Sequence, residues 1–242
     1  MAQHQGRRIA GFRVVTYWRD SAFAPPAPPP GSLRAGIAGL AGALLIFFGA
    51  AAIAVVFILQ QHAPQPSAGA AGSTGFGRAH PLSLRRSVPV FVHIPAIGVT
   101  SELLHLGVDA AGAIQVPSLS TEAGEAAWYK YSVTPGQIGA SVIEGHVDSY
   151  AGPAVFFRLG ALRPGDRIDV TLADRVTAVF RVTGVREYLK SRFPAKVIYG
   201  RTAYAELRLI TCGGAFDDST GHYLSSTVVY ASLISSVPAS GG

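Results

Sequence analysis

Val88–Ile94, VPVFVHI, alternates β-branched and aromatic residues, the local signature of a strand. Outward from it, Ile114–Val116, Ala140–Gly145, Ile168–Leu172, Thr177–Tyr188, Glu206–Cys212 and Thr227–Leu233 are further short runs rich in Val, Ile, Thr, Tyr and Phe. Pro135-Gly136, Pro164-Gly165 and Ala173-Asp174 punctuate them as turns. Helix signals are few: a turn or two over Thr121–Trp128 and another over Pro153–Leu159. Short strands separated by turn chemistry predict an all-β domain, a barrel or a sandwich.

That domain occupies residues 81–237, a comfortable size for one hydrophobic core, with 238–242 read as a disordered C-terminus. What precedes it has a different composition. From Ala35 to Leu59 no charged or strongly polar side chain occurs. Such a run is longer than the roughly 20 residues a helix needs to cross a hydrocarbon core, and its glycines are ordinary in membrane helices. It also exceeds the h-region of a cleaved signal peptide. Residues 35–59 therefore read as a single N-terminal transmembrane helix, a signal anchor. Arg7, Arg8, Arg13, Arg19 and Arg34 precede it against one Asp20, whereas no Lys or Arg follows until Arg78. Basic flanks stay cytoplasmic, so residues 1–34 form a basic cytoplasmic tail and the β-domain lies outside the cell. Residues 60–80, rich in Ala, Gly, Pro, Ser and Gln, read as a flexible tether.

The formal net charge of +6 is no nucleic-acid footprint. The five arginines less one aspartate of the tail account for four of the six charges, where they meet the lipid bilayer. No Lys/Arg run marks the remainder, so no nucleic acid is expected as a partner.

The chain has one cysteine. Outside a membrane, structural cysteines pair, so an unpaired one is a reactive thiol or an intermolecular bridge, and a Cys-rich zinc site is excluded. Cys212 ends the run LRLITC and precedes Gly213-Gly214, which leaves backbone room for a substrate. A buried, inert thiol is the bland alternative. A thiolate needs a proton partner. Of the seven histidines, His146 follows an apolar strand in VIEGHVDS. His222 lies ten residues past Cys212 and competes with it, and His93 sits mid-strand, where it faces solvent or makes a core hydrogen bond. A His preceding the Cys fits papain-like peptidases poorly.

These residues resemble the sortases. ITC at 210–212, GH at 145–146 and VVYA at 228–231 carry the likeness. It extends over HIPAIGV (93–99), LGVDAAGAIQVP (106–117), AAWYKYSVTPGQIGASVIEGHVDS (126–149), PAVFFRLGALRPGD (153–166) and ELRLITCGGAFDDSTGHY (206–223). In motif style the chain is most similar to the actinobacterial classes E and F. The resemblance implies an eight-stranded β-barrel with one or two short helices and a ping-pong transpeptidation. Cys212 would attack the Thr–Gly bond of a Leu-Pro/Ala-x-Thr-Gly-type sorting signal, and His146 would carry protons to and from the amines. The partners implied are secreted proteins bearing C-terminal sorting signals and an amine acceptor of peptidoglycan or a pilin-like protein. The chemistry asks for no cofactor and no metal.

One position departs from the family pattern. The third catalytic residue is generally an Arg on the last strand; here that place is Ser226, and Gly213–Gly242 contains no Arg or Lys. Arg208 shares the face of Cys212 by strand alternation and is nominated as the substitute, with Arg158 or backbone N–H groups as further candidates. The missing Arg is also the best support for a rival reading, a non-catalytic extracellular β-domain acting as a binding or assembly module.

Overall fold

The computed structural model describes residues 63–72 and 82–238. β1 (Pro89–Ile94) and β2 (Val99–Leu106) fold back on each other through Pro95–Ile97, a tight turn closed by Gly98 at φ 69°. β3 (Ala126–Tyr129) and β4 (Gly139–Glu144) follow, then a separate two-stranded ribbon of β5 (Asp148–Ser149) and β6 (Gly152–Pro153). β7 (Arg167–Leu172), β8 (Val176–Leu189), β9 (Ala205–Asp217) and β10 (His222–Pro238) complete the set. Eight strands close into a barrel in the order β1-β2-β3-β4-β9-β10-β8-β7. β2–β3 and β4–β9 pair in parallel and the other neighbours antiparallel. Closure leaves no unpaired edge.

The alternation that makes these segments strands also fills the barrel. In β7 the pattern Arg167–Leu172 buries every second residue, Ile168, Val170 and Leu172. Together with Val92, Phe180 and Leu209 they belong to one apolar interior, each buried side chain stabilising by about 1.5–3 kcal/mol. A second apolar cluster forms on the outer surface. Val142, Ile210, Val228 and Tyr230 are covered there by Ile198 and by Phe193 and Tyr199. The cover comes from the segment joining β8 to β9, which holds a 3-10 turn, Lys190–Arg192, and one helical turn, Ala195–Ile198. This outer cluster is why nine consecutive residues of β9, Ala205–Gly213, are buried on both faces.

The all-β barrel expected from the sequence is present, with several local differences. Ile114–Val116 contributes only an isolated bridge between Val108 and Ile114. The helical turns expected at Thr121–Trp128 and Pro153–Leu159 are instead a turn leading into β3 and a turn leading into a single 3-10 turn, Leu159–Ala161. β2 was not legible, because VTSELLHL places Thr100 and Glu102 on its exposed face and Ser101 among the buried residues. β9 does not end at Cys212 but runs on to Asp217 in a hairpin with β10.

The tether expected over residues 60–80 is corrected in part. Pro64–Gly72 lies on the barrel: Ala70 is buried in the apolar interior cluster, and the Gln65 side chain accepts a hydrogen bond from the Gly214 N–H. The approach is backbone to backbone. A Cβ on Gly160 would come within 1.9 Å of the Pro64 carbonyl oxygen, and one on Gly72 within 2.0 Å of that of Thr183. Small residues do not argue against packing where the partner surface is itself backbone, and composition alone misses this. The tail 1–34, the proposed span 35–59, residues 60–62 and 73–81 and the last four residues lie outside the described residues. Among those described, no helix is long and apolar enough to cross a membrane.

Candidate active site

Strand alternation puts Glu206, Arg208, Ile210 and Cys212 on the outer face of β9, opposite Leu207 and Leu209, which point into the barrel. Cys212 is 8% exposed, and the Lys190 ammonium donates to its Sγ at 3.5 Å. Burial pushes the thiol up to about 11; the Lys190 charge and hydrogen bond oppose this, and the carboxylates of Asp148 and Glu144 add to it. Gly213 and Gly214 follow for packing reasons. A Cβ on Gly213 would meet Thr227 Oγ1 at 2.5 Å. Gly214, at φ 76°, sits where the β9–β10 register shifts between Tyr223 and Ser225, a bulge that favours glycine.

His146 lies just past the end of the neighbouring strand. β4 runs parallel to β9 with Glu144 opposite Ile210, and the Gly145 N–H continues the ladder to the Ile210 carbonyl at 3.1 Å. His146 follows Glu144 by two residues, as Cys212 follows Ile210. Its ring is buried, with Nε2 2.7 Å from the Pro117 carbonyl oxygen. A carbonyl only accepts, so Nε2 carries the proton and the lone pair of the neutral ring is at Nδ1. Behind it, a Cβ on Gly145 would lie 2.7 Å from Val155 Cγ1 and 2.8 Å from Phe156 Cδ2. The turn carrying the imidazole therefore has no slack.

Two further pairs surround the thiol. The Tyr223 hydroxyl donates to the Asp148 carboxylate, and burial with this bond pushes the phenol well up. Glu144, buried on the outer face of β4, accepts from the Tyr199 hydroxyl at 2.8 Å. Desolvation raises the Glu144 carboxyl from 4.5 to about 7, and the Tyr199 bond opposes the rise. The folded state therefore holds this proton more tightly than the unfolded chain. Its contribution is present at low pH and is lost as pH rises through the window between those two values. Glu144→Gln is expected to stabilise the protein at pH 8 by up to about 3 kcal/mol while changing little near pH 4, read by denaturant unfolding at the two pH values. Equal shifts at both would refute the carboxyl's role.

Arg208, the residue nominated from the sequence, is engaged elsewhere. Its guanidinium pairs with Glu206 and stacks over the Tyr230 ring, 4.4 Å from the centroid. Both partners lie toward the start of β9; Arg208 is opposite Tyr230 in register, whereas Cys212 is opposite Ser226. Arg158 is exposed beside the Leu159–Ala161 turn. His222 is half-buried at the base of the β9–β10 hairpin, opposite Asp217. His93 is exposed on β1. Lys190, Glu144, Asp148 and Tyr223 were missed. Lys190 directly follows a strand and Asp148 lies two residues past His146, but neither spacing singles them out. Among the described residues no group of His, Cys, Asp and Glu is arranged to hold a metal.

The fold is an eight-stranded closed barrel, with the lone thiol on β9 and a buried histidine just past the end of the parallel neighbour β4. The chain belongs to the sortase family: the Sortase domain model matches residues 92–234, more than half of the 242-residue sequence. As a member of that family it is a cysteine transpeptidase. No curated protein matches it. Solved structures similar to it include sortase E1 from Streptomyces coelicolor with a tripeptide in the active site, at 19% identity, 63% coverage of this chain, 91% of that one and TM-score 0.46. Sortase A from Listeria monocytogenes is 18% identical, with 63% and 90% coverage and TM-score 0.45. The sortase A of Actinomyces oris is 20% identical, with 66% and 88% coverage and TM-score 0.46. At these values the likenesses add nothing to the family match.

Proposed function

We propose that this sortase uses Cys212 as nucleophile and His146 as acid/base to cleave a Leu-Pro/Ala-x-Thr-Gly-type sorting signal between Thr and Gly. The acyl group is then joined to an amine of peptidoglycan or of a pilin-like protein. The observation that supports this reading is the parallel β4–β9 register: Glu144 is opposite Ile210, and the buried, hydrogen-bonded His146 and the lone Cys212 each follow that pair by two residues. The Cys212 thiol passes its proton to His146, its sulfur attacks the threonine carbonyl, the C–S bond forms and the carbonyl electron pair moves to oxygen. Collapse of that oxyanion breaks the C–N bond, and the glycine amine leaves with the proton from His146. The incoming amine repeats the addition on the thioester, His146 takes its proton, and Cys212 leaves as thiolate and recovers a proton from His146. We further propose that the apolar run 35–59 anchors the enzyme in the cell membrane with residues 1–34 cytoplasmic, on the strength of its length and basic flank.

The test is incubation with a panel of sorting-signal peptides and an amine acceptor, followed by mass spectrometry. The expected products are a Thr-linked acceptor conjugate and a thioacyl adduct on Cys212. A protein that leaves every peptide intact, with Cys212 unmodified, would return the non-catalytic binding module to first place.

A further inference from the structure

The reaction above develops negative charge twice next to Cys212, first on sulfur and then on the former carbonyl oxygen. A site that does this well holds a fixed positive group or an array of donors at that point. No Arg or Lys occurs between Gly213 and Gly242, and Arg208 is tied to Glu206 and Tyr230. The cation that meets the sulfur comes from a different strand.

We propose that Lys190 is a catalytic residue of this sortase, its ammonium holding the Cys212 thiolate and then the oxyanion of each tetrahedral intermediate. The inference rests on Cys212 being the nucleophile. Its support is positional. Cys212 on β9 is opposite Ser226 on β10, and Ser226 is in turn opposite Tyr188 on β8. The chain leaves β8 after Leu189, so Lys190 begins a turn (Lys190–Arg192) one strand beyond Ser226. Reaching Sγ means crossing above β10, about 10 Å from β8 to β9, which suits a long unbranched side chain. Ser226 lies directly in that lane, and its short side chain leaves the lane open. Nζ ends 3.5 Å from Sγ. The oxyanion forms two bonds from that sulfur, within reach of the same ammonium. The ammonium keeps its protons throughout: His146 alone exchanges protons, with the thiol and with the amines, so atoms and charge balance without any further reactant.

Among the described residues, the charged and titratable groups that interact with the thiol are Lys190, Asp148, Glu144 and Tyr223, and His146 lies two residues past Glu144. Asp148 and Glu144 raise the thiol, and Lys190 opposes them. Its removal should therefore act on the thiol even with no peptide present, which separates this proposal from the choice of substrate. The experiment compares full-length parent, Lys190→Met and Lys190→Arg. Lys190 is part-exposed, and folding of each variant is checked by thermal melt. Alkylation of Cys212 by iodoacetamide is followed against pH, and transpeptidation is measured where the parent shows it. Lys190→Met is expected to shift the alkylation profile to higher pH by about one unit or more, a tenfold or greater loss of thiolate at a given pH. Its kcat/KM should fall by ~10²–10³, and Lys190→Arg should restore most of both. An alkylation profile of Lys190→Met that superimposes on the parent overturns the assignment. If the parent itself joins no peptide to an amine, the substrate reading fails and the alkylation profiles still decide the role of Lys190.

Discussion

Replacing Cys212 by alanine is expected to abolish both the thioacyl adduct and transpeptidation, with the barrel left folded. The chain has no second thiol to take over, and no hydroxyl at position 212 remains to attack more slowly. The structural cost is small. The sulfur is a buried group on the outer face of β9, not a member of the apolar interior. Losing it removes about 1 kcal/mol of burial at most. It also frees Lys190 from a buried neutral thiol. Mass spectrometry of the peptide reaction, beside a denaturation curve, checks both halves at once. Measurable turnover in the folded alanine variant would remove Cys212 from the mechanism.

His146→Ala should lower kcat/KM by ~10²–10⁴, the usual worth of a positioned acid/base group. The reason is specific to the leaving group. An amine cannot depart from the tetrahedral intermediate without a proton, and His146 is the group proposed to supply it. An ester of the same acyl chain, whose leaving oxygen needs far less help, should be slowed less than the peptide in this variant. His222, on the hairpin base, is expected to matter little to either substrate. If His222→Ala proves the more damaging, or if the ester is slowed as much as the peptide, the proton role lies elsewhere.

The strand content was legible because β-branched and aromatic residues recur with period two along Val88–Ile94, Ile168–Leu172 and Thr177–Tyr188, and each of these is a barrel strand within a residue or two. β2 was hidden for the opposite reason: its Thr100, Ser101 and Glu102 dilute the apolar signal. Cys212 stood out by arithmetic, being a lone thiol. His146 stood out by position, being a polar side chain at the end of a fully buried strand. The nomination of Arg208 shows where such reasoning stops. Alternation correctly put Arg208 on the face of Cys212, yet the same rule put Glu206 there too. The carboxylate two residues away captures the guanidinium.

The sequence by itself determined the all-β class, the lone thiol and the absence of Arg and Lys on the last strand. These follow from local composition, from periodicity and from motifs that survive without three-dimensional context. Only the tertiary structure decided which cation faces Sγ, because Lys190 is adjacent to Cys212 through the pairing of three strands and not through any fixed spacing along the chain. The same holds for Glu144 and Tyr199, 55 positions apart, whose shared bond depends on the β8–β9 segment folding over the outer face. It holds for Pro64–Gly72 as well. Its backbone contacts with Thr183 and Gly160 depend on glycines opposing carbonyls, a complementarity that no side-chain pattern encodes.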